Sequence, residues 1–136
     1  MSAFKNRVLP VIAGLATGWI VIFVLEAVNH QIYPPPTEVD FTDKVALTQF
    51  METLPTMAFV LLLISWMIGA FVAGMVGTKV KQQNSRNTTI IIGVILAMGS
   101  IINMIMIPHP VWLMILASVG YVPFAYFGGK LVSKKG

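Results

Sequence analysis

Residues 55–78 read PTMAFVLLLISWMIGAFVAGMVGT, a run with no charged side chain and no proline after its first position. A helix rises about 1.5 Å per residue and the hydrocarbon core of a bilayer is about 30 Å thick, so a spanning helix needs about 20 mostly apolar residues. This run is long enough to cross. Three others qualify: 8–29, with Pro10 in its opening turn, 88–107, also uncharged, and 111–131, with Lys130 at its end. A proline in the first turn costs little, because its missing N–H would have had no helical partner. Strands are a poor alternative. These runs show no alternation, and four strands cannot close a barrel that leaves no unpaired backbone in lipid.

The rest of the composition agrees. Of 136 residues 57% are hydrophobic and only 10% charged, with a mean hydropathy of +0.83, against the ~25% charge usual in soluble domains. A soluble fold of this size buries too little of its chain to hide so much apolar surface. Disordered, collagen-like and coiled-coil classes are excluded by the same numbers. The absence of cysteine removes disulfides, thiolate metal sites, iron–sulfur clusters and a cysteine nucleophile. The expected fold is therefore an all-α integral membrane protein. It is a four-transmembrane-helix antiparallel bundle, one transmembrane domain over 1–136, with an outer loop at 30–54.

Charge sets the expected orientation. Four crossings put both termini on one side with the 79–87 connection. That side holds Lys5, Arg7, Lys79, Lys81, Arg86, Lys130, Lys134 and Lys135, eight of the nine basic residues, and no acid. The other side holds Lys44 and all five acids, Glu26, Glu38, Asp40, Asp43 and Glu52. Both termini are expected in the cytoplasm, with the chain in a plasma membrane of the bacterial inner type. The net charge of +4 reflects basic residues at helix ends, which orient the chain and meet anionic lipid, so no nucleic-acid partner is expected. The first apolar run exceeds a signal-peptide core and lacks an A-x-A site, so it reads as a retained helix. Asn87-Thr88-Thr89 matches a glycosylation sequon but falls on the cytoplasmic side.

In the outer loop, Tyr33-Pro34-Pro35-Pro36 forms a stiff extended piece that ends the first helix. Leu47, Phe50, Met51 and Leu54 then recur at three- and four-residue steps, the mark of a short amphipathic helix on the membrane surface, capped by Asp40 or Thr42. Pro55 bends the chain into the second span. Pro108-His109-Pro110 joins the last two spans in a tight turn. A faint repeat links the halves: Asn29 precedes Pro34 and Pro36 as Asn103 precedes Pro108 and Pro110. That pattern suggests two parallel hairpins about an axis along the membrane normal.

Glu26 and His30 stand four apart on one helix face, above Ile22, Gly18 and Gly14 at the same step. Gly14 and Gly18, then Gly69, Ala73 and Gly77, then Gly93 and Ala97 make small-residue ladders suited to close helix packing. Bundling the spans brings Glu26, Asn29, His30, Asn103 and His109 to one outer level, with Glu52 beside them. As a functional site, Glu26, His30 and His109 supply ligands for a divalent metal, the one cofactor considered, or relay protons. As a structural feature, Glu26 merely pairs with His30 or caps helix ends, one turn from the interface. Ionisable groups at membrane depth carry a default suspicion of function, but E-x3-H is unspecific and the structural alternative is favoured.

Trp112 and Tyr33 fit an interfacial aromatic belt, while Trp19 and Trp66 lie deeper, where packing is favoured over lining a pocket. The nine methionines read as gap-fillers, Met104 and Met106 being the two near the polar level. Pro123 is expected to kink the fourth span, and Gly128-Gly129 to let it approach a neighbour or end early. No glycine-lysine phosphate loop and no G-x-S-x-G is present. The leading functional reading is a non-enzymatic helix bundle, acting as a homo-oligomer or as an accessory subunit of a membrane complex. The alternative is a small proton- or metal-coupled transporter using the outer Glu/His site, and a lipid-directed enzyme ranks third.

Because the chain has no cysteine, its topology is directly testable. A single cysteine replacing Thr53 should react with a membrane-impermeant maleimide on intact cells, and one replacing Ser133 only after permeabilisation. Labelling of Ser133→Cys from outside would overturn the arrangement.

Overall fold

The computed structural model describes residues 4–34, 40, 42–81 and 86–133. Pro35, Pro36, Glu38, Lys134, Lys135 and the middle of the 79–87 connection lie outside the described residues. The chain is all-helical. A five-residue π-helical lead-in, Phe4–Val8, runs into α1 (Leu9–Ile32), followed by α2 (Lys44–Thr53), α3 (Thr56–Lys81), α4 (Arg86–Met106) and α5 (Val111–Val132). The lead-in with α1, together with α3, α4 and α5, makes four helices long and apolar enough to cross a membrane.

Helix ends follow local chemistry. Pro10 sits in the first turn of α1, where no N–H is needed. At the far end the N–H of Tyr33 donates to the Asn29 carbonyl at 2.9 Å, and at the end of α4 the N–H of Ile107 donates to the Asn103 carbonyl at 2.9 Å. In both cases the next residue is a proline, which has no N–H to continue the ladder. The N-x4-P echo is thus one helix-stop used twice. The cap of α2 differs from expectation. The Asp43 carboxylate accepts from the Val45 N–H at 3.0 Å, while Asp40 instead accepts from the N–H (2.9 Å) and hydroxyl (2.6 Å) of Thr42. Asp40 therefore forms the turn ahead of the cap, and those two bonds hold its carboxyl below the usual carboxylate range.

Packing is governed by small residues. A Cβ on Gly14 would lie 2.6 Å from the Ala73 carbonyl oxygen and 2.7 Å from Ile92 Cδ1, and one on Gly18 would lie 2.8 Å from Ala73 Cβ. Further along, Gly69 meets Ile22, and Glu26 bonds to Trp66. Positions rise along α1 as they fall along α3, so these two run opposite ways with their backbones in near contact. Between α3 and α5 the order is different: Gly120 meets Met67, while Gly128 meets the backbone of Phe71 and Gly129 meets Thr78. These two helices run the same way. A Cβ on Gly93 would lie 2.6 Å from Val122 Cα, and Thr89 meets Gly129, so α4 runs against α5. The hub is α3, which packs against α1, α4 and α5.

Ala70, Ala73, Ala117 and Ala125 are fully buried, whereas Phe23 is 74% and Trp19 54% exposed. Alanines at the helix contacts, beside larger core residues such as Trp66 and Ile92, with other large apolar side chains outside, is the pattern of helices packed in lipid, where dispersion at short range replaces a hydrophobic drive. Trp19 points outward, contrary to the expectation that it packs against a neighbour. Gly128 and Gly129 do bring α5 close to α3, and the helix continues to Val132. Pro123 lies inside α5 and, with Gly120, lines a lateral apolar groove of about 680 Å³ between α3 and α5. The Nζ of Lys81 donates to the Asn6 carbonyl, tying the lead-in to the end of α3.

Gly99 alone among the ten glycines of the helices has open space around it. Gly74→Ala, whose methyl would drive into the backbone of Ala125, should cost about 1–3 kcal/mol or more through overpacking. Gly99→Ala should cost nothing. Thermal midpoints in detergent check both, and equal behaviour of the pair would refute the packing scheme.

Candidate functional site

At the end of the bundle where α1 finishes and α3 begins, a pocket of about 230 Å³ opens between the long helices and α2. Glu26, Asn29 and His30 line it from α1, Asn103 from α4, and His109 from the α4–α5 turn. Five of the six residues expected from the sequence therefore share one pocket. Glu52, the sixth, lines an adjoining pocket of about 350 Å³, with His109 on the wall between them. Leu47, Phe50, Met51 and Leu54 of α2 also line the main pocket, which gives that short helix its apolar face something to cover.

The register of α1 on α3 builds the floor. Steps of four up α1, from Gly14 through Gly18 and Ile22 to Glu26, match steps down α3 that end at Trp66. The indole Nε1 of Trp66 donates to Glu26 Oε1 at 2.7 Å. Trp66 is 3% exposed, so the bond fixes a half-buried carboxylate with a donor that water does not reach. Hydrogen bonds to charged groups contribute about 1.5–3 kcal/mol. The same indole stacks on Tyr121, with ring centroids 6.5 Å apart, and meets the His109 ring at 5.8 Å and 57°. Tyr121 faces the buried hydroxyl of Ser100. One turn above Glu26, Asn29 Nδ2 donates to the Ala58 carbonyl at 3.3 Å, while its Oδ1 is buried and unpartnered.

His109 Nδ1 lies 2.7 Å from the Ile107 carbonyl. A carbonyl only accepts, so Nδ1 carries the proton, and in the neutral ring Nε2 keeps its lone pair. Burial holds His109 below its ordinary value of 6.5, against the opposing pull of the Ile107 carbonyl and the Glu26 charge. His30 and Asn103 are exposed at the rim. Among the described residues no three His, Asp or Glu side chains stand close enough to hold a metal ion. Met104 is buried and Met106 exposed, and neither lines the pocket.

Sequence reasoning missed the partner of Glu26, Trp66 having been assigned to packing, and it missed Phe59 and Tyr121. The signal was present but indirect. Trp66 stands three residues before Gly69, at the head of the ladder that α1 needs, and a buried indole requires an acceptor.

The chain matches no known protein family, no curated protein and no solved structure.

Because the folded ring of His109 resists protonation, the unfolded chain binds that proton first as pH falls through 6.5. Stability should then drop with acidification until the folded ring also protonates. The thermal midpoint in detergent should fall between about pH 7 and pH 5, more steeply than in His109→Gln. Comparison with the variant separates His109 from Glu26 and Glu52, which line the pockets beside it. Parallel curves would refute the assignment.

Proposed function

We propose that this chain is a small proton-coupled carrier of a bacterial inner membrane, an antiparallel bundle with both ends in the cytoplasm and the α2 pocket on the outer face. The observation that carries this reading is the Glu26–Trp66 hydrogen bond at the floor of a pocket shared with Asn29, His30, Asn103 and His109. A carboxylate held at membrane depth is costly, and a single indole donor compensates only part of its charge. Its second oxygen can take a proton or a positively charged ligand, and either one neutralises it. A proton and such a ligand then compete for one group, which is the physical basis of coupled exchange. The separation of Lys and Arg from Asp and Glu along the sequence supports the orientation.

A second reading is association between copies or with another membrane subunit, although Gly14, Gly18, Gly69, Ala73, Gly77 and Gly93 already pack against helices of the same chain. One observation still favours it. Gly99, where an added Cβ would meet nothing within 4 Å, stands four residues before the exposed Asn103 on α4, a small-plus-polar face suited to a neighbouring helix.

Reconstituted vesicles loaded with a pH dye test the carrier reading. Among externally added small cations, anions and sugars, at least one class should change internal pH beyond protein-free vesicles. Glu26→Gln, which keeps an acceptor for Trp66, should abolish that response without lowering the thermal midpoint. Equal responses of wild type and variant, or no response to any class, would refute coupling through Glu26.

A further inference from the structure

The deep part of the pocket offers acceptors and almost no donors. The Trp66 N–H is directed to Glu26 and the Asn29 amide N–H to Ala58. What remains is the second oxygen of Glu26, the buried unpartnered Oδ1 of Asn29 and the Nε2 lone pair of His109, whose proton sits on Nδ1 against Ile107. The lining side chains that keep donors are His30 and Asn103, both exposed, and Tyr33, half-buried, whose hydroxyl can also accept. Deep acceptors that outnumber the free donors call for a ligand that brings N–H groups and positive charge.

The surroundings point the same way. The pocket is lined at the C-terminal ends of α1, α2 and α4, while α3 starts beside it and α5 starts two residues beyond His109, so three negative helix-dipole ends stand there against two positive ones. Phe50, Phe59 and Trp66 provide aromatic faces that attract cations. Asp40, Asp43 and Glu52 are exposed on the approach through α2, where they raise the local concentration of cations. A hard divalent ion would want 6–8 oxygen ligands, and apolar aromatic walls do not supply them. A volume of about 230 Å³ is below the roughly 300–1,000 Å³ of drug-sized sites.

We infer that the pocket receives a small primary ammonium ion bearing one short apolar or aromatic group, its N–H bonds directed to Glu26, Asn29 and His109. This rests on the reading of the pocket as the working site of a carrier. The ammonium displaces the proton as the neutralising partner of Glu26, and the aromatic walls take its apolar group.

A Trp19→Phe, Trp112→Phe background leaves Trp66 as the one indole, directly bonded to the group in question. Benzylammonium should shift its emission saturably, and Glu26→Gln should weaken that binding roughly tenfold, the size of one charge-assisted contact. Tetramethylammonium, which has no N–H, should bind more weakly, and benzoate should not bind. Equal binding of tetramethylammonium and benzylammonium would overturn the role of the acceptors. Saturable binding of benzoate or zinc in place of benzylammonium would overturn the ammonium assignment while leaving the pocket as a ligand site. No response to any of the four, with the thermal midpoint also unmoved, would overturn both.

Discussion

The backbones of α1 and α3 lie in near contact over Gly14, Gly18, Ala73 and Gly77, with the tip of Ile92 from α4 against Gly14 and Gly77, and the rest of the molecule depends on that approach. In hydrocarbon, apolar side chains gain nothing by leaving the solvent, so helices hold together through short-range dispersion, which needs such closeness. A ladder of glycines also fixes register, because each missing side chain accommodates one particular carbonyl or methyl across the seam. A slip of one turn would set Glu26 against Leu62 or Ala70 instead of Trp66, and neither has a side-chain donor. The site is thus a consequence of packing two turns below it.

The same seam explains how a charge is kept at depth in so small a bundle. Glu26 is half-buried and bonded to an indole that is itself pinned between Tyr121 and His109. The aromatic stack leaves the indole little freedom to turn away, so the carboxylate is held in one orientation. The covering helix α2 closes the pocket with Leu47, Phe50, Met51 and Leu54, and its Asp43 cap fixes where that helix starts. Among the described residues the buried Thr78 hydroxyl, without a partner, marks another place where the interior holds unmatched polarity.

Much of this was legible in the linear chain. Long uncharged runs, prolines after Asn29 and Asn103 and the gathering of polar residues at one level all depend on local composition or on helical spacing. Five of six candidate residues line one pocket for that reason, since equal depth in the spans brings their ends together. What spacing could not supply was the partner of each face. The ladders were legible as close-packing faces, but only the structure shows which helix of the chain each one meets. Trp66 was read as packing alone, because nothing in its own neighbourhood names an acceptor forty residues away.

By itself the sequence determined that four helices are long and apolar enough to cross a membrane, where they lie to within about three residues, and that Glu26, His30 and His109 share one end. Those properties follow from transfer free energy and backbone hydrogen bonding, which each segment satisfies alone. The tertiary structure decided that α3 is the hub, that α5 runs alongside it in the same direction, that Gly99 is left open, and that Glu26 meets Trp66. Those depend on how two helix surfaces interlock, and a surface of small residues admits many neighbours until all the others have been seated.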